Sequence, residues 1–251
     1  VKVVENTGKK VNNNLPYKNV VVVGGPKCAT MHMANFFSNS NFRVVQANPN
    51  IPNEARNMMF RISPRGWKYK FCKTPGWIFD KNALNRVARF IGNYGKQTLV
   101  LVCVREFNQL LRSWYEMRKG ESPQYANITF DEFKQKKSWE NRHLTYQECV
   151  REFEKNIIHL IELLSNVKCA KLVVIDQYNF INNSTYDIFI ECGVDVKNKE
   201  YKYEKPNIKT KQKILDKTLF NEYISLLTNK TIQKYMLPFC KSEILKKYNL
   251  E

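Results

Sequence analysis

Apolar residues along this chain follow two kinds of pattern. Three short runs are apolar at nearly every position: Val20–Val23, TLVLVCV from Thr98, and LVVI from Leu172. Unbroken, β-branched runs of this length predict strands buried on both faces, as in a parallel sheet. Between the runs, apolar positions recur at intervals of three and four. Leu84, Val87, Ala88 and Ile91 predict a helix over residues 81–94, and Phe153, Ile157, Leu160, Ile161 and Leu164 predict another over 148–164. Helices are also expected over residues 30–38 and through FNQLLRSWYEMRKG from Phe107. A further strand, residues 68–72, is expected to stop at Lys73-Thr74-Pro75. Residues 48–65 carry Pro49, Pro52 and Pro64 and read as a long functional loop around a short helix, while 122–142 read as looser. Residues 207–250 alternate lysines with apolar residues at helical spacing.

Strands alternating with helices specify the α/β class: one domain, residues 19–251, with a central parallel sheet flanked by helices. Residues 1–18 are polar and read as a tail or loose strand. In sheets of this kind ligands sit at the carboxyl ends of the strands. Lys27, Lys73 and Arg105 all fall there.

Charge sharpens the picture. The chain has 251 residues and a net charge of 41 − 23 = +18, which points to anionic partners. No stretch of ~18 apolar residues is present, so no membrane span is expected. The chain opens on Val1 without a signal-like segment and reads as trimmed of any targeting sequence. Seven cysteines, at 28, 72, 103, 149, 169, 192 and 240, include no CxxC pair. That excludes a zinc ribbon and fits buried thiols with few disulfides, leaving a Cys192–Cys240 pair open. Glycosylation sequons at Asn127, Asn182, Asn183 and Asn229 lean toward a glycoprotein of the secretory route.

The first strand runs into Gly24-Gly25-Pro26-Lys27-Cys28-Ala29-Thr30-Met31. Two glycines permit a sharp turn and close approach of a ligand. The N–H groups of residues 27–31 then open a helix, a ready anion site to which Lys27 adds a full charge. A Walker A loop needs GxxxxGK[ST], which is absent, so the expected phosphate site is not that of an ATPase.

These residues resemble the 5′-phosphosulfate loop of the sulfotransferases, which transfer a sulfuryl group from 3′-phosphoadenosine 5′-phosphosulfate (PAPS). The resemblance implies a P-loop-like sulfotransferase fold and a donor site formed by Gly25, Pro26, Lys27, Cys28, Ala29, Thr30 and Met31. Arg105, followed eight residues later by Ser113, matches the family's 3′-phosphate element. The trailing SWY is similar to the N-deacetylase/N-sulfotransferase branch of the Golgi heparan sulfate enzymes. CKTPGWIF resembles the segment that sets Lys73 beside the donor sulfate, and KLVVIDQYNF resembles a later strand and turn. KPNIKTK resembles the lid, implying contacts from Asn207, Lys209 and Lys211. By the same resemblance Glu54, 27 residues beyond Lys27, is the candidate general base, with His32 next and His143 and His159 behind it.

Five positions depart from the family pattern: Ala29 for glycine, Met31 for threonine, Cys72 for glutamate, and Glu106-Phe107 for Asn-Pro. The glutamate puts negative charge beside an expected phosphate. The implied chemistry uses no metal and leaves 3′,5′-adenosine bisphosphate. The acceptor side, flanked by Arg56, Arg61, Arg65, Lys68 and Lys70, suits an anionic glycan, with Trp67 and Trp77 to stack on a ring. A small phenol or alcohol is the rival acceptor. A kinase-like protein holding magnesium on Asp176, a basic RNA- or heparin-binding module, and a catalytically degenerate relative are the other readings. No nucleic acid is expected as partner. The Golgi lumen is the expected compartment, with the cytoplasm as alternative.

Overall fold

The apolar runs become the interior of a five-stranded sheet. The computed structural model describes residues 17, 19–40, 42–46, 70–94, 98–167, 170–182, 185–194, 196 and 216–250; for 31, 43–46, 70–75, 90, 93, 94, 181 and 182 it describes the backbone. Strands β1 (Asn19–Gly24), β2 (Arg43–Gln46), β3 (Lys70–Pro75), β4 (Thr98–Val104) and β5 (Ala170–Asp176) lie in the order β2-β3-β1-β4-β5. All four pairings are parallel. The order reverses at β1, so the loop after β1 and the segment after β4 leave neighbouring strand ends in the same direction.

Burial explains why these runs need no alternation. Every residue of β4 and β5 is buried, and Val20–Val23 of β1 are buried as well. Both faces are therefore covered, and each buried valine contributes about 1.5–3 kcal/mol of transfer free energy. One polar residue in these strands is Lys171, whose Nζ donates to the Cys192 carbonyl at 2.9 Å. Tyr17 lies beneath it, buried, with its N–H donated to the Gly193 carbonyl at 3.1 Å. Tyr17, from the segment read as a tail or loose strand, therefore packs on the described core.

Helix α1 (Thr30–Ser38) follows β1, α2 (Lys81–Tyr94) follows β3, and α3 (Phe107–Glu121) follows β4. Short helices α4 (Phe130–Gln135) and α5 (Tyr146–Arg151) lead to α6 (Phe153–Ser165). After β5 come α7 (Gln177–Asn182), α8 (Thr185–Glu191), α9 (Lys217–Thr228), α10 (Lys230–Gln233) and α11 (Pro238–Tyr248). The helix expected over 148–164 is two helices, because the chain turns at Glu152. Strand β2 and helices α4, α7 and α8 stand where no element was expected, and β3 extends to Pro75. Residues 48–65 and 207–215, with their proline-rich loop and lid motif, lie outside the described residues.

Aromatic rings fill the layers between helices and sheet. Phe36 and Phe37 of α1 meet Phe42 and Phe189 of α8. A second chain of rings runs from Phe133 through Tyr146, Trp114 and Phe79 to Phe153, Phe107 and Tyr223. It locks α3, α5, α6 and α9 against the turn that follows β3.

Candidate functional site

The loop after β1 is made by backbone geometry. Cys28 N–H donates to the Gly25 carbonyl at 3.3 Å, closing a four-residue turn. Pro26 holds the second position and Lys27 the third, at φ 65°, the pattern of a type II turn. Ala29 is also left-handed, at φ 59° and ψ 14°, and leads directly into α1. Each such conformation costs a non-glycine residue about 1–2 kcal/mol. Gly24 is fixed for another reason: a Cβ there would stand 2.8 Å from the Cys103 carbonyl oxygen on β4.

This strained turn leaves its donors unspent. No side chain caps α1 and no acidic residue occupies its first turn. Helix geometry gives the N–H groups of Thr30 and Met31 no acceptor four residues back. Lys27 is exposed beside them. The result is a concentration of positive potential at the carboxyl end of the central strand.

Arg105 completes this arrangement from the neighbouring strand. It follows β4 directly, and its Nη1 donates to the Lys27 carbonyl at 3.0 Å. Its Nε is enclosed with no acceptor among the described residues. Burial pushes its pKa down while Cys28, Glu106 and Asp176 push it up; a guanidinium stays charged in any case. Ser113 sits half-buried on α3, six residues past the helix start, or about 9 Å along its axis.

Glu106 does not oppose an anion in the way its sequence position suggests. Its carboxylate is buried and caps α3: Oε1 accepts from Asn108 N at 2.9 Å and Asn108 Nδ2 at 3.0 Å, Oε2 from Gln109 N at 2.8 Å. Asn108 Nδ2 also donates to the Asp216 carbonyl, and Asp216 in turn caps α9. The negative charge is absorbed by the helix dipole it faces.

Asp176, at the end of β5, is likewise committed. Tyr223 Oη donates to Oδ2, and Tyr178 N–H donates to Oδ1 at 2.7 Å. Burial pushes this carboxyl up to about 6, against the pull of Lys247. Lys247 Nζ lies 4.0 Å from the Tyr178 ring centroid. A magnesium ligand needs free carboxylate oxygens, so this arrangement does not suit the kinase-like role for Asp176.

The remaining candidates divide as follows. Lys73 is in β3 with its Cα in register with Val22 and Gln46, two residues short of the strand end. His32 is buried; its Nε2 shares a 2.6 Å hydrogen bond with Thr185 Oγ1, and burial pushes its pKa down to about 4. Cys28 is a buried thiol pushed up to about 12. His159 meets Asn85 Oδ1 at 3.3 Å between α6 and α2, while His143 is exposed. Glu54, Asn207, Lys209, Lys211 and Trp67 lie outside the described residues.

One sequence expectation needs correction, and two open questions gain an answer from the structure. Trp77 cannot stack on an acceptor: it is only 4% exposed, in a 3-10 turn (Trp77–Phe79) whose Ile78 and Phe79 are also buried. Cys192 and Cys240 are free thiols, as are Cys28, Cys103 and Cys149. Asn229 is half-buried and engaged in the fold: its Nδ2 donates to Glu154 Oε1 at 2.5 Å and its Oδ1 accepts from Thr231 and Ile232 N–H. Asn127, by contrast, is exposed on a turn.

A second loop, residues 136–145, reaches the same end of the sheet, and sequence reasoning missed it. Gly76 N–H donates to the Gly24 carbonyl at 3.0 Å, and a Cβ on Gly76 would lie 2.6 Å from Glu140 Cγ. Glu140 Oε1 pairs with Arg118 Nη2 at 2.6 Å, and Asn141 Nδ2 donates to the Phe79 carbonyl at 2.6 Å. Loop 136–145 therefore lies over the turn after β3, next to the Lys27 loop.

No protein-family model matches the chain, and no curated protein does. Among solved structures it is similar to a sulfotransferase from Alicyclobacillus acidocaldarius, with 14% identity over 88% of this chain and 93% of that one and a TM-score of 0.49. A sulfotransferase domain from the curacin biosynthetic pathway shows 11% identity over 71% and 72%, with a TM-score of 0.39. A de novo designed protein with a P-loop NTPase fold shows 12% identity over 57% and 95%, with a TM-score of 0.26.

Proposed function

We propose that this protein is a sulfotransferase that moves a sulfuryl group from PAPS to a hydroxyl or amine of a carbohydrate acceptor. The observation that carries the reading is the bond from Arg105 to the Lys27 carbonyl. It joins the two elements read in the sequence as separate halves of one donor site. The N–H groups of Thr30 and Met31 at the uncapped start of α1, the exposed Lys27, and the Arg105 Nε, which has no acceptor among the described residues, suit a ligand with phosphates at two positions.

The donor supplies an activated sulfuryl group whose S–O bond to the 5′-phosphate breaks as the acceptor's oxygen or nitrogen bonds to sulfur. The protein's part is positioning and charge. Lys27 and the N–H groups of residues 29–31 hold the 5′ end, and Lys27 meets the negative charge that grows on the oxygen being released. Arg105 and Ser113 hold the 3′-phosphate, which ATP lacks. Lys73 steadies the sulfuryl oxygens, and Asn207, Lys209 and Lys211 close over the nucleotide. Glu54 takes the acceptor's proton, and the charges are met without a metal ion. His32, buried against Thr185, serves α1 packing in this reading. On its sequons the chain is assigned to the Golgi lumen, with Asn127 as the exposed acceptor position.

Calorimetric titration of 3′,5′-adenosine bisphosphate tests this directly. Wild type binds in the micromolar range, Arg105→Ala loses about 100-fold or more, and ATP binds weakly. Absence of binding, or preference for ATP with magnesium, overturns the reading.

A further inference from the structure

Trp139 is 59% exposed, and with Ile190 it is one of two large apolar side chains left open among the described residues. It belongs to loop 136–145, which spends its polar groups on holding still. Lys137 and Thr145 form a β-bridge, and Ser138 N–H donates to the Leu144 carbonyl at 2.8 Å. The buried Ser138 Oγ accepts from Glu140 and Asn141 N–H and donates to Glu140 Oε2 at 3.0 Å. Arg118 and Phe79 anchor the loop from below. The loop that carries the indole is thus held in position while the ring itself stays uncovered.

The exposed charges of the loop itself are basic, with the exposed Glu132 and Glu148 beside Lys136 and Lys137 at its two ends. Arg142 lies over the ring, its Cζ 5.4 Å from the centroid. Lys136, Lys137 and Arg142 are exposed, and Lys137 Nζ donates to the His143 carbonyl. Glu140, the acid within this loop, is turned inward to Arg118; the nearby Glu148 is tied to the Thr145 N–H in a capping box. The platform adjoins the candidate donor site through two contacts, Glu140 on Gly76 and Gly76 on Gly24.

We infer that Trp139 and Arg142 form the acceptor platform, stacking a pyranose ring of an anionic oligosaccharide while Arg142 and its neighbouring lysines meet the ring's carboxylate. This rests on the sulfotransferase reading for what is done to the sugar. A fixed indole offers a large apolar face at little cost in side-chain entropy, and an adjacent guanidinium matches a carboxylate fork.

The probe is an unsulfated uronate–N-acetylglucosamine octasaccharide, with a neutral maltooctaose and a polyphosphate as comparators. Each is titrated into wild type, Trp139→Ala and Trp139→Tyr, with 3′,5′-adenosine bisphosphate affinity measured on the same samples. The uronate octasaccharide binds wild type, shields Trp139 from acrylamide quenching, and binds Trp139→Ala about tenfold more weakly. Trp139→Tyr restores most of the loss, maltooctaose binds poorly, and bisphosphate affinity stays constant throughout. The inference is overturned if Trp139→Ala binds the octasaccharide as wild type does, or loses bisphosphate affinity in parallel. It is equally overturned if polyphosphate shields Trp139 as well as the octasaccharide does. Bisphosphate binding without octasaccharide binding sinks the platform alone. Trp139-dependent octasaccharide binding without bisphosphate binding sinks the donor site alone.

Discussion

Two loops meet over the carboxyl end of β1, and they are built on opposite principles. Residues 25–30 hold their shape with one turn bond and one bond from Arg105, accept two left-handed non-glycine residues, and leave a helix start uncapped. Residues 136–145 are held by hydrogen bonds through Ser138 and Asn141 and sit on a largely buried ion pair. The difference follows from what each presents. A loop that binds through its backbone must keep donors unspent and tolerate strain to aim them. A loop that presents a side chain can satisfy its whole backbone first. Substitutions in the first should therefore cost binding and turnover, and substitutions beneath the second should cost stability.

The largest effect tests the second half of that contrast. Arg118→Ala leaves Glu140 as an unpaired buried carboxylate, and chemical denaturation should show a loss of about 3–5 kcal/mol. A loss below about 1 kcal/mol would mean that the loop does not depend on this pair. Next comes Lys27→Ala. Sulfuryl transfer should fall about 10²–10³-fold, while unfolding free energy stays within about 0.5 kcal/mol of wild type. A comparable loss of stability would erase the distinction between the loops.

The floor beneath the Lys27 loop gives a smaller, pH-dependent effect. Burial raises Asp176 from 3.8 to about 6, so the folded state binds its proton more tightly, and stability from this group falls as pH rises from about 4 to 6. Burial lowers His32 from 6.5 to about 4, so its contribution is full above 6.5 and is lost as pH falls toward 4. The two oppose each other over the same window. Asp176→Asn removes one side and keeps one oxygen to accept from the Tyr178 N–H, while its new amide N–H can donate to the Tyr223 hydroxyl. Its stability should drop more steeply than wild type between pH 6.5 and pH 4; parallel curves would show that Asp176 is not the opposing group. The smallest effect is Ala29→Gly. Relief of the left-handed alanine outweighs the added freedom of the unfolded chain by about 0.5–1 kcal/mol, read as a higher Tm.

Sequence pattern was a sound guide where burial was complete and a poor one where it was partial. β1, β4 and β5 were legible because a strand covered on both faces must be apolar throughout. β2 has only four residues, two of them Arg43 and Gln46, and nothing in so short a run separates an edge strand from a loop. Helices α4 and α5 did leave a signal, since Thr129-x-x-Glu132 and Thr145-x-x-Glu148 are both capping boxes, but their apolar faces are too short for periodicity. At the site, Lys27 and Arg105 were legible from their places after apolar runs. The inward turn of Glu106 was not, because a glutamate is an uncommon N-cap. Nor could the sequence distinguish Trp77 from Trp139. Which indole faces water depends on the 3-10 turn that folds Trp77 under and on the pair from Glu140 to Arg118 that holds its neighbour out.

The capping role of Asn229 has a bearing on timing. A sugar on its Nδ2 would replace one of the two amide hydrogens beside the bond to Glu154 and leave the capping oxygen, Oδ1, untouched. If the nascent chain meets oligosaccharyl transferase, folding and modification compete for that atom. A chain modified first would keep the Oδ1 cap of α10 but would have to fit the sugar beside Glu154, whereas in the folded chain that nitrogen is already engaged.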